Sequence, residues 1–78
     1  MAKLPILSSE KVIKVLLRIG FIYAPKRGKG SHIALYKKNK EGRKLLVIIP
    51  KRKEIPKGTL LSILQQVDIA KEELLDLL

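Results

Sequence analysis

The chain contains no cysteine and no tryptophan, and only one histidine, one phenylalanine and two tyrosines among its 78 residues. Without cysteine there can be no disulfide and no thiolate metal site. One histidine and seven scattered carboxylates do not supply the spaced ligands of a structural zinc centre, so neither a metal nor a cofactor is expected. An aromatic content of 4% argues against a binder that stacks successive bases on rings. No run reaches the ~18 apolar residues that a membrane helix needs. The N-terminus lacks the charged-then-apolar layout of a signal peptide. A protein of a reducing cytoplasm, without a membrane role, is the expectation.

Acidic residues are scarce as well. Seventeen Lys and Arg face seven Asp and Glu, a formal net charge of +10. The imbalance is one-sided along the chain. Residues 1–66 hold sixteen of the seventeen cations and only Glu10, Glu41 and Glu54 among the acids. The remaining four acids, Asp68, Glu72, Glu73 and Asp76, crowd into the last twelve residues with one lysine. A basic body of this kind is an electrostatic footprint for nucleic acid. A lysine-rich solvated surface is the plainer alternative. A membrane surface fits less well, because no helix pairs a basic face with a large exposed apolar one. With 46% hydrophobic residues the chain can fold, as one small domain, 1–78.

Residues 1–7 read as a lead-in. Ser8 can cap a helix over 9–19, in which Val12, Ile13, Leu16, Leu17 and Ile19 follow helical spacing. Gly20 suits a left-handed stop. Phe21-Ile22-Tyr23 favours a short strand, ended by Pro25. Residues 32–38 alternate, with His32, Ala34, Tyr36 and Lys38 on one side and Ile33, Leu35 and Lys37 on the other. Asn39 to Gly42 turns the chain into a third strand, 44–49, that Pro50 stops. Pro56 belongs in the first turn of a helix near 57–66, with Asp68 as a left-handed exit. Residues 71–78 read as a short acidic helix with Leu74, Leu75 and Leu78 facing inward.

The fold class is therefore α+β, in the order α-β-β-β-α plus a terminal helical turn. Short connections favour an antiparallel three-stranded meander with the second strand central. Both long helices must bury an apolar stripe, which places them on one sheet face and leaves the other open. His32, Ala34 and Tyr36 would lie on that open face. The third strand does not alternate: Leu45 to Ile49 is apolar on both faces. Part of its outer face should meet a partner, unless the lead-in or the C-terminal turn covers it.

The one histidine sits in Lys26-Arg27-Gly28-Lys29-Gly30-Ser31-His32. Imidazole both takes and gives a proton near neutrality. The cations beside it attract a polyanion, and the amides around Gly28, Gly30 and Ser31 can form a small anion nest. A proton shuttle beside a phosphate-binding surface is the least equipment for cutting RNA without a metal. His32 would act on the RNA 2′-hydroxyl as general base, or as base and acid in turn. Lys29, Arg27 or Arg52 would stabilise the phosphorane. Lys26, Arg27 and Lys29 can also serve only to hold phosphate. Ser31 would position the strand start or a phosphate, and Tyr36 would stack a base or pack on the sheet.

In this order the chain resembles the HicA family of toxin RNases from prokaryotic toxin–antitoxin modules, from about Ser8 to Leu78. A first helix ends in Gly20-Phe21, Gly30-Ser31-His32 opens the second strand, and a hydrophobic strand ends in Ile49-Pro50. Then comes Glu54-Ile55-Pro56-Lys57-Gly58-Thr59-Leu60-Leu61-Ser62-Ile63-Leu64, similar to the family's second-helix signature. The resemblance implies a fold like that of double-stranded-RNA-binding domains. It implies an mRNA interferase, a ribosome-independent endoribonuclease acting on single-stranded or structured mRNA, and neutralisation by a HicB-type antitoxin. The family's essential histidine corresponds to His32. Arg52 stands where many relatives carry a second histidine, Leu61 where a basic residue is common, and Ala70 where a capping Ser or Thr is usual. The first departure leaves His32 as the only imidazole. A non-catalytic RNA-binding module and a small ribosomal component are the rival readings.

Overall fold

The computed structural model describes residues 4–24 and 30–78. The elements are α1 (Ser9–Arg18), β1 (Ile22–Tyr23), β2 (His32–Lys38), β3 (Lys44–Pro50), α2 (Lys57–Val67) and α3 (Lys71–Leu77). The strands form one open antiparallel sheet in the order β1-β2-β3, with β2 in the middle. This is the α+β arrangement expected from the sequence. Among the described residues, no helix is long and apolar enough to cross a membrane.

α1 starts where its chemistry dictates. Ser8 is extended, and its hydroxyl oxygen accepts the Lys11 N–H at 3.2 Å. Val12, Ile13, Val15 and Leu16 are buried. Leu17, expected on the same face, is 39% exposed. At 3.6 residues per turn Val15, Val12, Leu16 and Ile13 lie in that order around one arc of the helix, and Leu17 falls past its Ile13 edge. The helix stops at Ile19, and Gly20 follows at φ 103°, a conformation that L side chains rarely adopt. The Phe21 N–H then returns to the Leu16 carbonyl at 2.9 Å.

β2 and β3 pair through Ile33↔Ile49, Leu35↔Val47 and Lys37↔Leu45 on the helix-covered face. Leu35, Val47 and Ile49 are fully buried and join one core with Phe21, α1, and Leu60, Ile63, Leu64 and Val67 of α2. Lys37 looks out of place on this face. Its ammonium donates to the Ile19 carbonyl at the end of α1 and lies 5.9 Å from the Phe21 ring centre. The stem lies along apolar surface while the charge meets the negative end of the helix dipole.

Two ends differ from the sequence-based expectation. Pro56 is the N-cap of α2 rather than a first-turn residue, and its carbonyl accepts the Leu60 N–H at 2.9 Å. Leu78 does not face inward but is 49% exposed. α3 ends at Leu77, so the helical spacing from Leu74 lapses, and Leu77 packs on the core instead. Asp68 is left-handed, as expected, at φ 59° and ψ 44°.

The described end of the lead-in, residues 4–7, is part of the packed structure. Leu7 is buried, and its carbonyl accepts the Ile55 N–H at 2.8 Å. Among the described residues, neither residues 4–7 nor α3 cover the outer face of β3, where Ile48 is 51% exposed.

Gly20→Ala should lower stability by roughly 1–2 kcal/mol, from the positive φ alone. The added methyl would also sit 3.3 Å from Lys37 Cε, so the helix-capping lysine must shift. Urea denaturation checks this; an unchanged midpoint would contradict it.

Candidate active site at the start of the central strand

His32 is the first residue of β2 and lies opposite Pro50, the last of β3. Its position follows from the register. Leu35 and Ile33 must face the helices, so a period of two turns His32, Ala34 and Tyr36 to the open face. Gly30, at φ 55°, turns the chain into Ser31. The Ser31 carbonyl accepts the Lys51 N–H at 2.7 Å, which continues the pairing one step beyond Pro50. His32 is exposed, and the Ser31 hydroxyl lies 3.2 Å from its Nδ1. One ring nitrogen thus has a local partner, and Nε2 is left for a ligand.

A shallow depression of about 270 Å³ opens here, lined by His32, Lys51, Gly30, Tyr23, Ala24 and Ala34 among others. Ala24 and Ala34 are small, and they are joined by the Ala24 N–H to Ala34 carbonyl bond at 2.9 Å. Two other depressions, of about 300 Å³ each, lie by α2–α3 and by α1 with the end of α3. Neither has an imidazole beside it.

Of the residues read from the sequence, Gly30 and His32 line this depression, and Ser31 stands between them with its hydroxyl beside the imidazole. Lys26, Arg27 and Lys29 lie outside the described residues. Tyr36 lies on the open face, half-buried, with the Lys44 ammonium 4.7 Å above its ring. Arg52 is exposed, and its backbone is tied to α1: its carbonyl accepts the Ser9 N–H at 3.0 Å and its N–H donates to the Ser9 hydroxyl at 3.2 Å. Arg52 does not line the depression; Lys51 does. From the sequence, Lys51 had no assigned role. No local signal marked it, because its place depends on the pairing of Pro50 with His32 across the sheet. Among the described residues no group of three His, Cys, Asp or Glu is placed to hold a metal ion.

A family model described as the HicA toxin of bacterial toxin–antitoxin matches residues 9–69. The chain belongs to the HicA toxin family. The match begins at the first residue of α1 and ends just after α2, so it takes in the whole sheet and His32. No individual curated protein matches the chain. As a HicA-family toxin it is one half of a toxin–antitoxin pair, and an antitoxin is its implied partner.

This HicA-family sheet has one packed and one open face, and adjacent isoleucines report each. Ile49→Ala should cost roughly 2–5 kcal/mol, because Ile49 is fully buried. Ile48→Ala should cost less than about 1 kcal/mol, because Ile48 is half exposed. Equal losses in thermal or urea unfolding would show that the two faces are not different.

Proposed function

We propose that this HicA-family toxin is an endoribonuclease that cleaves mRNA by general acid–base catalysis at His32. The observation that carries the reading is the exposed imidazole, held at Nδ1 by Ser31, at the edge of a depression in a chain of net charge +10. In the neutral tautomer that donates Nδ1–H to the Ser31 oxygen, Nε2 carries the lone pair the mechanism needs. It takes the proton of the RNA 2′-hydroxyl. The 2′-oxygen attacks the adjacent phosphorus, and the bond from phosphorus to the 5′-oxygen breaks. The imidazolium returns the proton to that leaving oxygen. The products are a 2′,3′-cyclic phosphate and a free 5′-hydroxyl, and the enzyme ends as it began. Proton transfer of this kind contributes ~10²–10⁴-fold. Lys26, Arg27, Lys29 and Arg52 would draw and hold the RNA backbone, with Tyr36 beside the base.

The antitoxin, of HicB type, would dock on the open sheet face and cover His32. That face carries Ile22 and Ile48, each 51% exposed, with Leu46 half-buried between charged ends. Exposed apolar surface of this kind marks an association site. Ile48→Asp should weaken the antitoxin complex at least about tenfold, a cost of ~1.4 kcal/mol, and leave RNA cleavage at the wild-type rate. Calorimetric titration checks the first, and a complex in which His32 stays solvent-exposed would refute the covering.

The activity test uses purified protein and RNA in EDTA, with His32→Ala alongside. Wild type should release fragments with cyclic-phosphate ends, and His32→Ala should lose at least about 10²-fold in rate while still retaining RNA. Cleavage by the variant at the wild-type rate would refute the mechanism. RNA that is bound but intact with both proteins would favour a non-catalytic RNA-binding module.

A further inference from the structure

Lys51 stands one residue beyond β3, with its backbone fixed on both sides. Its own N–H donates to the Ser31 carbonyl at 2.7 Å. The following residue, Arg52, is held by the Ser9 N–H at 3.0 Å and the Ser9 hydroxyl at 3.2 Å. Between these two anchors the lysine itself is exposed. Among the described residues it is the one cation lining the depression beside His32.

We infer that Lys51 is the phosphate-binding residue of this site, its ammonium holding the scissile RNA phosphate beside His32 and stabilising the charge that builds there. The inference rests on the ribonuclease reading and deepens it. Attack by the 2′-oxygen adds a negative charge to a phosphodiester that already carries one. A cation placed where that charge develops contributes as much as the proton transfer or more. Lysine suits the task as a compact point charge with three donors on a flexible stem. Only that stem need be ordered on binding, because the backbone hydrogen bonds on either side already fix where it starts. The bond to Ser31 fixes the Lys51 backbone across the ladder from the neighbour of the imidazole, and Lys51 and His32 line the same depression just past the end of β3. Arg52 is left to draw in more distant phosphates.

Two measurements test this. In single-turnover cleavage, Lys51→Ala should be slower by about 10²-fold, and Lys51→Arg should recover part of the loss by restoring the charge. Lys40→Ala, in the exposed turn at the far end of the β2–β3 ladder, should cleave at the wild-type rate. The second measurement needs no cleavage. Inorganic phosphate titrated into isotope-labelled protein should shift the amide resonances of Gly30, Ser31 and His32, and Lys51→Gln should abolish those shifts. The amide spectrum of each variant reports whether it is folded, and Lys51→Arg supplies a second folded comparison. Wild-type cleavage by Lys51→Ala, or unchanged phosphate shifts in Lys51→Gln, would overturn the assignment. Phosphate binding through Lys51 in a wild-type protein that leaves RNA intact would sink the ribonuclease reading and leave the phosphate site standing.

Discussion

The pairing of Leu35 with Val47 is the constraint on which the rest depends. Both are fully buried, at the centre of the sheet and under the helices. Because side chains alternate, a slip of one residue would send Leu35 into solvent and bring Ala34 and Tyr36 under α1 and α2. Each fully buried leucine or valine side chain contributes roughly 1.5–3 kcal/mol, so the slipped registers are excluded. The same parity that buries Leu35 exposes His32 three residues earlier. It also sets Pro50 opposite His32 and Lys51 opposite Ser31. The candidate site is thus a by-product of core packing at one end of one ladder.

α1 is tied to that ladder at both ends. Ser9 clamps the chain just past β3 through Arg52, and Lys37 of β2 caps the carbonyl of Ile19. The polar groups at both helix ends find partners in the sheet strands or the segment that follows them. A small domain without disulfides benefits from such ties, since its core alone provides a narrow margin. They also explain why two residues of unpromising type, a serine and a lysine, are buried or partly buried against an apolar core.

Leaving one sheet face open has a cost. Ile22 and Ile48 stand half exposed on a sheet in which, among the described residues, β3 is an edge strand, an arrangement that invites association. A toxin that spends part of its life beside an antitoxin has a use for that surface. A net charge of +10 opposes the approach of like copies and favours that of polyanions. On the proposed reading, apolar docking and phosphate binding use neighbouring regions of one face, and a partner seated on the first would block the second.

The sequence by itself determined the elements and their order. Helical spacing in residues 9–19, strict alternation in 32–38, and the capping residues Ser8, Gly20 and Asp68 are local signals, and each was readable because its physics is local. His32 was readable too, as the only imidazole in a glycine-rich basic segment. What the tertiary structure decided were matters of which residues face each other. Leu17 and Leu78 look like core residues in a list but fall outside the core, because the helix arc and the end of α3 leave them there. Lys37 looks like a surface residue but caps a helix eighteen positions away. Lys51 was one cation among several until the β2–β3 register set it beside Ser31, and Arg52, the residue singled out from the sequence, has its backbone tied to α1 and does not line the depression. Cross-strand neighbours are distant along the chain, and only the buried pairs between them fix which residues meet.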